Sequence, residues 1–401
     1  MSMSTPIDVC VIGSGPAGLA AAEAAAAAGA RVLVAEQKPS FGRKFLMAGK
    51  SGLNLTKAEP PEVFRGRVDA AGPVAAALRA VSPETVCDWA EGLGQPVFTG
   101  SSGRVFPKAM KASPLLRAWL VRLSEAGVEM RARWRWTGWQ GDALSFDTPE
   151  GVQTVTARAT VLALGGASWA RLGSDGAWAE RLGEITTVTP FQPSNMGLQI
   201  RWSAHMQPHH GAPVKSVGLR LSKTRLRGEF VVSATGVEGS AIYALSAEAR
   251  AAVATGDALL RLDLAPDLDP EALTRRLSRP RGKASLSNHI RKTVGITGVK
   301  AALLREAGPL PDAPGDIAGR IKDVPLHVSG LAPMDKAIST IGGIGPGALD
   351  DTLMLRARPG LFCAGEMLDW DAPTGGYLIT TCLATGWHAG REAAGWAAGR
   401  E

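Results

Sequence analysis

Cysteine is scarce in this chain of 401 residues: there are four, at positions 10, 87, 363 and 382, and no two stand at CxxC spacing. A disulfide scaffold is therefore excluded, as are a structural zinc site and a thioredoxin-type dithiol built on paired thiols. A reducing cytoplasm is the simplest home. Also missing are a GxSxG elbow, an HExxH helix and a Walker loop. The opening carries no basic leader and no cleavage site, so no signal peptide is expected. The one long apolar stretch, Val9 to Ala35, is interrupted by Gly13, Gly15, Pro16 and Gly18 and holds Glu23 and Arg31. It suits a strand, a turn and a helix better than a membrane span, and no membrane partner is expected.

What remains is an ordinary globular composition, 45% hydrophobic and 20% charged, with length enough for two or three domains. Ile7 to Ile12 (IDVCVI) is a short β-rich run of the kind buried in parallel sheets. Pro16 to Ala28 is an alanine-dense helix closed by Gly29, and Arg31 to Ala35 is the next strand. This is a βαβ unit with the helix as right-handed crossover.

Gly13-Ser14-Gly15-Pro16-Ala17-Gly18 lies between that strand and that helix, and Glu36 ends the second strand. Gly13 permits the tight turn, Gly15 admits a pyrophosphate close to the backbone, and Gly18 lets helix and strand pack. The helix N-terminus offers unpaired N–H groups, and Glu36 can accept hydrogen bonds from ribose hydroxyls. In this context the motif predicts dinucleotide binding. Two later apolar strands also end in glycine: Thr160 to Leu164 before Gly165-Gly166, and Leu361 to Ala364 before Gly365-Glu366. The second, followed by Gly375-Gly376 and a helix, favours FAD over NAD. Glu366 can meet a ribityl hydroxyl there, and the helix N-terminus can face the pyrimidine edge of the flavin.

The chain resembles the YhiN/BaiN-like flavoproteins, a family with aminoacetone oxidase-like members. The segments that carry the likeness are VIGSGPAGLAAAEAAAAAGARVLVAE, FGRKFLMAGKSGLNLT, GRVFPKAMKAS, TVLALGGASWARLGSDGAWAERLG, VSATGVEGSAIYALS and AGEMLDWDAPTGGY, in the expected order. The resemblance implies bound FAD and a Rossmann-like three-layer α/β domain, discontinuous over residues 1–190 and 330–401. It also implies an antiparallel β-subdomain (191–245 and 322–332) and a small helical subdomain (246–321) closing over the flavin. The candidate cofactor residues are Gly13, Gly15, Pro16, Ala17, Gly18, Glu36 and Gln37, then Gly42, Arg43, Lys44 and Asn54. Gly165, Gly166, Gly365, Glu366, Gly375, Gly376 and Tyr377 complete the set. Where relatives read G-x-G-R-C-N-x-T-N, this chain has Gly52 and Leu53 in place of Arg and Cys, while Asn54 and Thr56 remain. Chemistry needing that thiol or guanidinium does not transfer.

No second GxGxxG follows a strand. Gly342-Gly343-Ile344-Gly345 reads as a loop, so NAD(P)H, if it serves as reductant, visits the flavin transiently. The net charge is +7, and residues 275–305 hold nine Lys or Arg without an acid, residues 201–227 six. A solvated face, a grip on a small anion and an RNA interface all suit such runs; the resemblance sharpens the last, since YhiN-like members are linked to dihydrouridine in ribosomal RNA. Substrate candidates are Arg104 and Lys108, from the family-like GRVFPK, and Arg275 and Arg276. The histidines of WSAHMQPHH (205, 209, 210) read as a polar loop rather than metal ligands, Cys10, Cys363 and Cys382 as core, and Trp134, Trp136 and Trp139 as a buried strand face. The expected activity is FAD-dependent hydride transfer through flavin N5, leaning to reduction of an activated C=C bond with uridine in ribosomal RNA as candidate. The alternatives are oxidation of a small amine or 2-amino ketone, and an RNA-binding or redox-sensing flavoprotein without turnover. Oligomeric state and the catalytic acid are not legible.

Overall fold

The four residues that end Ile7–Ile12 (β1) are completely covered, as the apolar run requires. In the computed structural model, which describes residues 7–49 and 52–399, β1 is the middle strand of five. Pro16–Ala27 (α1) starts on a proline at its first turn and ends before Gly29, whose φ of 85° is left-handed. Val32–Glu36 (β2) runs parallel to β1. Arg43–Ala48 (α2) follows. Glu129–Ala132 (β3) pairs with β2, Ala157–Leu162 (β4) with β1, and Leu361–Cys363 (β5) with β4. The order is β5-β4-β1-β2-β3, every pair parallel, so strands from far along the chain extend the N-terminal βαβ unit.

The closing helix, Tyr377–Ala398 (α3), lies along α1 without room for side chains between them. A Cβ on Gly386 would stand 2.2 Å from the Ala17 carbonyl oxygen, and one on Gly390 would stand 2.1 Å from that of Ala21. The glycines are four apart on one helix and the alanines four apart on the other, so a single stripe of small residues carries the contact. The alanine richness of α1 thus has a packing cause.

Glu23 of α1 is tied to three further helices. Its Oε2 accepts from the indole N–H groups of Trp89 (3.1 Å), Trp119 (3.1 Å) and Trp387 (3.4 Å), and its Oε1 accepts from Arg122 at 2.9 Å. The three-stranded meander Arg135–Gln140, Ala143–Thr148 and Gly151–Val155 is antiparallel. A register shift between Trp136 and Gly138 brings Trp139 edge-on to buried Trp136, with centroids 4.9 Å apart.

The fold divides into two compact units: residues up to Gln192 together with those from Ser339 onward, and Pro193–Ile338. The second unit has its own core and a seven-stranded antiparallel sheet. Residues 330–338, expected with the FAD-binding domain, fall in this unit, and one stretch read as helical is a strand. Leu259–Asp263, inside the stretch read as helical, is a strand of that sheet, paired with Pro213–Leu221 and Val324–His327. Left-handed Gly256 ends the preceding helix, and the alternating burial of LLRLD has the two-residue period of a strand. No described helix is long and apolar enough to cross a membrane.

Candidate functional site

The site grows from the C-terminal end of β1. Gly13 (φ 101°) could not carry a Cβ, which would stand 2.2 Å from the Ala163 carbonyl oxygen. One on Gly18 would come even nearer to the carbonyl of Gly13 itself. Gly15 is different: nothing lies within 4 Å of its virtual Cβ. Two glycines therefore close the turn, and the third opens it toward space. Pro16 has no N–H, and those of Ala17 and Gly18 belong to the first turn of α1, which has no intrahelical acceptor. Backbone donors, a helix dipole and an open glycine form an anion cradle.

Glu36 ends β2 beneath that turn, only 9% exposed. Its Oε2 accepts from the backbone N–H of Ser14 at 3.1 Å and from the Ser14 hydroxyl, and its Oε1 accepts from Lys38 N–H at 2.7 Å. Oε1 keeps capacity for a further donor. Gln37 donates from Nε2 to the Gly173 carbonyl at 2.8 Å. The hydroxyl of Ser14 in turn accepts from Gly42, whose φ of 65° caps α2.

Lys44, on α2, joins the two ends of the chain. Its Nζ donates to Glu366 Oε2 at 2.6 Å and to Ser168 Oγ at 2.8 Å. Glu366 Oε1 accepts from Thr340 N–H at 3.1 Å. A Cβ on Gly166 would fall 2.0 Å from Thr340 Oγ1, and one on Gly165 (φ 73°) 2.9 Å from Ser174 Oγ. Gly365 (φ 84°) brings its strand end onto α1, where a Cβ would meet that of Ala17 at 2.7 Å. Among the described residues, Arg43 Nε and Asn54 Oδ1 are two of six buried side-chain polar atoms without a hydrogen-bond partner.

Gly376 (φ 99°) caps α3 so tightly that a Cβ would stand 2.4 Å from the Thr56 Cα. Beside it, Gly375 has φ 133°. The hydroxyl of Tyr377 donates to Glu59 Oε1 at 2.5 Å, and Lys57 and Arg67 lie 3.4 and 3.5 Å from that carboxylate. Burial, and then the accepting charge of Glu59, hold this phenol well above the usual tyrosine range. Arg104 is near enough to oppose that shift.

Most of the residues expected at a cofactor thus converge in the first unit. Lys108 is exposed beyond its strand, and Arg275 and Arg276 are exposed in the second unit. Leu53, in place of the relatives' cysteine, is fully buried; Lys50 and Ser51 lie outside the described residues, as do residues 1–6, where no leader was expected. Ser168, Ser174, Thr340 and Glu59 escaped the sequence reading. The two serines lie in the family-like segment after β4, whereas nothing near Thr340 announces its role. His205 has partners that its spacing did not suggest: Ser203 Oγ at 2.6 Å from Nδ1 and Glu306 Oε2 at 3.3 Å from Nε2. The acid-free run 201–227 is partly neutralised in space, Arg220 by Asp323 and Arg227 by Asp267. Arg275, Arg276, Arg279, Arg281 and Lys283 remain exposed.

The open Gly15, the α1 donors and the unpartnered Asn54 and Arg43 atoms suit a dinucleotide of FAD type. A family model described as "HI0933-like protein Rossmann domain" matches residues 7–392. The sequence is 26% identical to the 3-dehydro-bile acid delta(4,6)-reductase of Clostridium scindens, over 96% of this chain and 98% of that protein. It is 23% identical to the ribosomal RNA dihydrouridine synthase of Escherichia coli, over 96% and 97%. Among solved structures, the 3-ketosteroid delta1-dehydrogenase of Sterolibacterium denitrificans, in complex with 1,4-androstadiene-3,17-dione, superposes with a TM-score of 0.55 at 13% identity. That match covers 98% of this chain and 100% of the other, and it is a likeness of fold.

Proposed function

The chain belongs to the HI0933-like family of FAD-dependent oxidoreductases, and from that premise we propose that it reduces a C=C bond conjugated to a carbonyl, with uridine in RNA as the substrate. The observation that carries the cofactor placement is the opening at Gly15 over the first turn of α1. Bound FAD supplies the hydride. The N–H groups of Ala17 and Gly18 take the pyrophosphate, and Glu36 takes the adenosine ribose. The Lys44–Glu366 pair presents a fixed carboxylate to the ribityl chain. Gly376 and Tyr377, at the positive end of α3, would hold the pyrimidine edge of a bound flavin, where the helix dipole would favour negative charge. Asn54 Oδ1, buried without a donor, awaits one from the bound ring system.

The substrate class rests on two of the relatives, one named as a delta(4,6)-reductase and the other as a dihydrouridine synthase. Both names describe saturation of a C=C bond in a ring. The exposed Arg275–Lys283 run favours the nucleic acid over a small lipid-like ring. The test is anaerobic. NADH or NADPH should bleach the flavin band, and a uridine-containing ribosomal RNA transcript should restore it with formation of dihydrouridine. Recovery with a 4-en-3-one steroid alone would move the substrate to a small enone. Bleaching by a 2-amino ketone, with reoxidation only by O2, would make the protein an oxidase. A flavin that no donor reduces would sink turnover altogether.

A further inference from the structure

Ten of the eleven tryptophans lie in, or pack against, one of the two apolar cores; Trp169 does not. Its indole is half-buried, and its backbone is left-handed (φ 64°, ψ 50°), a conformation that costs a bulky side chain free energy. An indole kept out of the core on strained backbone has been held there by its surroundings.

Those surroundings are defined on both sides. Just before it, Ser168 Oγ accepts from Lys44 Nζ at 2.8 Å, and Ala167 N–H donates to Thr340 Oγ1 at 3.2 Å. Just after it, Gly173 accepts from Gln37 at 2.8 Å, and a Cβ there would meet Lys38 Cγ at 3.2 Å. The loop therefore spans from the Lys44–Glu366 pair to the residues that follow Glu36, alongside the path assigned to the dinucleotide. Exposed Arg171 sits on this loop with its guanidinium over one face of the Trp169 ring, 5.3 Å from the centroid. An indole with a guanidinium over one face matches a purine on the other face and its phosphate at the ring edge, because the indole stacks any base and the fork binds phosphate oxygens.

We propose that Trp169 and Arg171 clamp an adenosine phosphate, the purine on the indole and the phosphate on the guanidinium. The inference rests on the reading that this site holds FAD. The adenylate comes either from FAD itself or from a nicotinamide dinucleotide that reduces it, and the experiment separates the two.

Flavin-free protein is titrated with FAD and with ADP, and the holoenzyme is reduced by NADPH in a stopped-flow instrument. In Trp169→Ala, both FAD and ADP should bind about tenfold more weakly, Trp169→Phe should restore binding, and the flavin-free variant should melt at the wild-type temperature. Arg171→Ala should weaken ADP but not riboflavin. If FAD and ADP bind unchanged while the concentration of NADPH giving half-maximal reduction rises about tenfold, the adenylate is the donor's. Unchanged behaviour with all three nucleotides would overturn the clamp, as would weaker binding accompanied by a lowered melting temperature. Either result, with wild-type protein still binding FAD, leaves the cofactor assignment standing.

Discussion

Single residues carry much of this molecule's stability. Glu23 accepts three indole N–H groups and a guanidinium, so its removal strands four donors that were oriented around it. Glu23→Ala should cost about 3 kcal/mol, read as a lowered urea midpoint, because the orphaned partners are paid for twice, in lost attraction and in desolvation. Glu23→Gln, which keeps an acceptor oxygen, should recover part of the loss. The cysteines give a residue-scale test with pH. Burial pushes the thiols of Cys10, Cys363 and Cys382 up from 9.0 to about 12, the last with help from the charge of Glu366. Folded protein at pH 8 should therefore alkylate first at half-buried Cys87 and more slowly at Cys382, which is half-buried too but whose thiol is pushed further up, with Cys10 and Cys363 reacting only on unfolding. These thiols ionise in the unfolded chain near 9 but in the folded one only near 12. Their contribution is whole below pH 9 and is lost progressively as pH rises toward 12. A urea midpoint at pH 10.5 equal to that at pH 8 would contradict this.

At the scale of elements, the α1–α3 seam is the most constrained contact. Gly386→Val would drive a branched side chain into the Ala17 carbonyl, and a loss of about 3 kcal/mol or more is expected, with flavin retention falling in parallel. Gly395→Val, at a position where nothing lies within 4 Å, is the control and should leave the melting temperature close to wild type. This scale also shows what the sequence could reveal. Ile7–Ile12 and α1 were legible because a β-rich run, glycines and an alanine helix follow one another in the only order a crossover permits. The Leu361–Cys363 strand was legible through the Gly365-Glu366 that follows it. Leu259–Asp263 was not, because its leucines continue the apolar spacing of the helix before it and only Gly256 marks the change. Lys44 entered through family likeness alone. Thr340 stayed hidden because its partners, Gly166 and Glu366, become neighbours only once the sheet is assembled. Trp169 stayed hidden because an indole left outside a core looks, in sequence, like any other.

At the scale of the whole molecule, charge and fold separate. The cofactor groups belong to the first unit, while the exposed arginines of 275–281 belong to the second, which has a core of its own. Replacing Arg275, Arg276, Arg279 and Arg281 by alanine should therefore leave FAD affinity and melting temperature unchanged. RNA affinity should drop, with a shallower dependence on salt, as fewer counterions are released. Equal RNA binding by the fourfold variant and wild type, measured by filter retention across a salt series, would remove this surface from the substrate path.

The strand order has a temporal corollary. β5 and α3 are threaded last, yet they flank β4 and α1, which emerge early, and Glu366 must travel back to reach Lys44. A chain synthesised only as far as β4 has half a pocket and an uncovered sheet flank. Flavin loading should therefore wait until β5 and α3 have joined the N-terminal βαβ unit, and until then the open sheet flank is the part most exposed to chaperones and proteases.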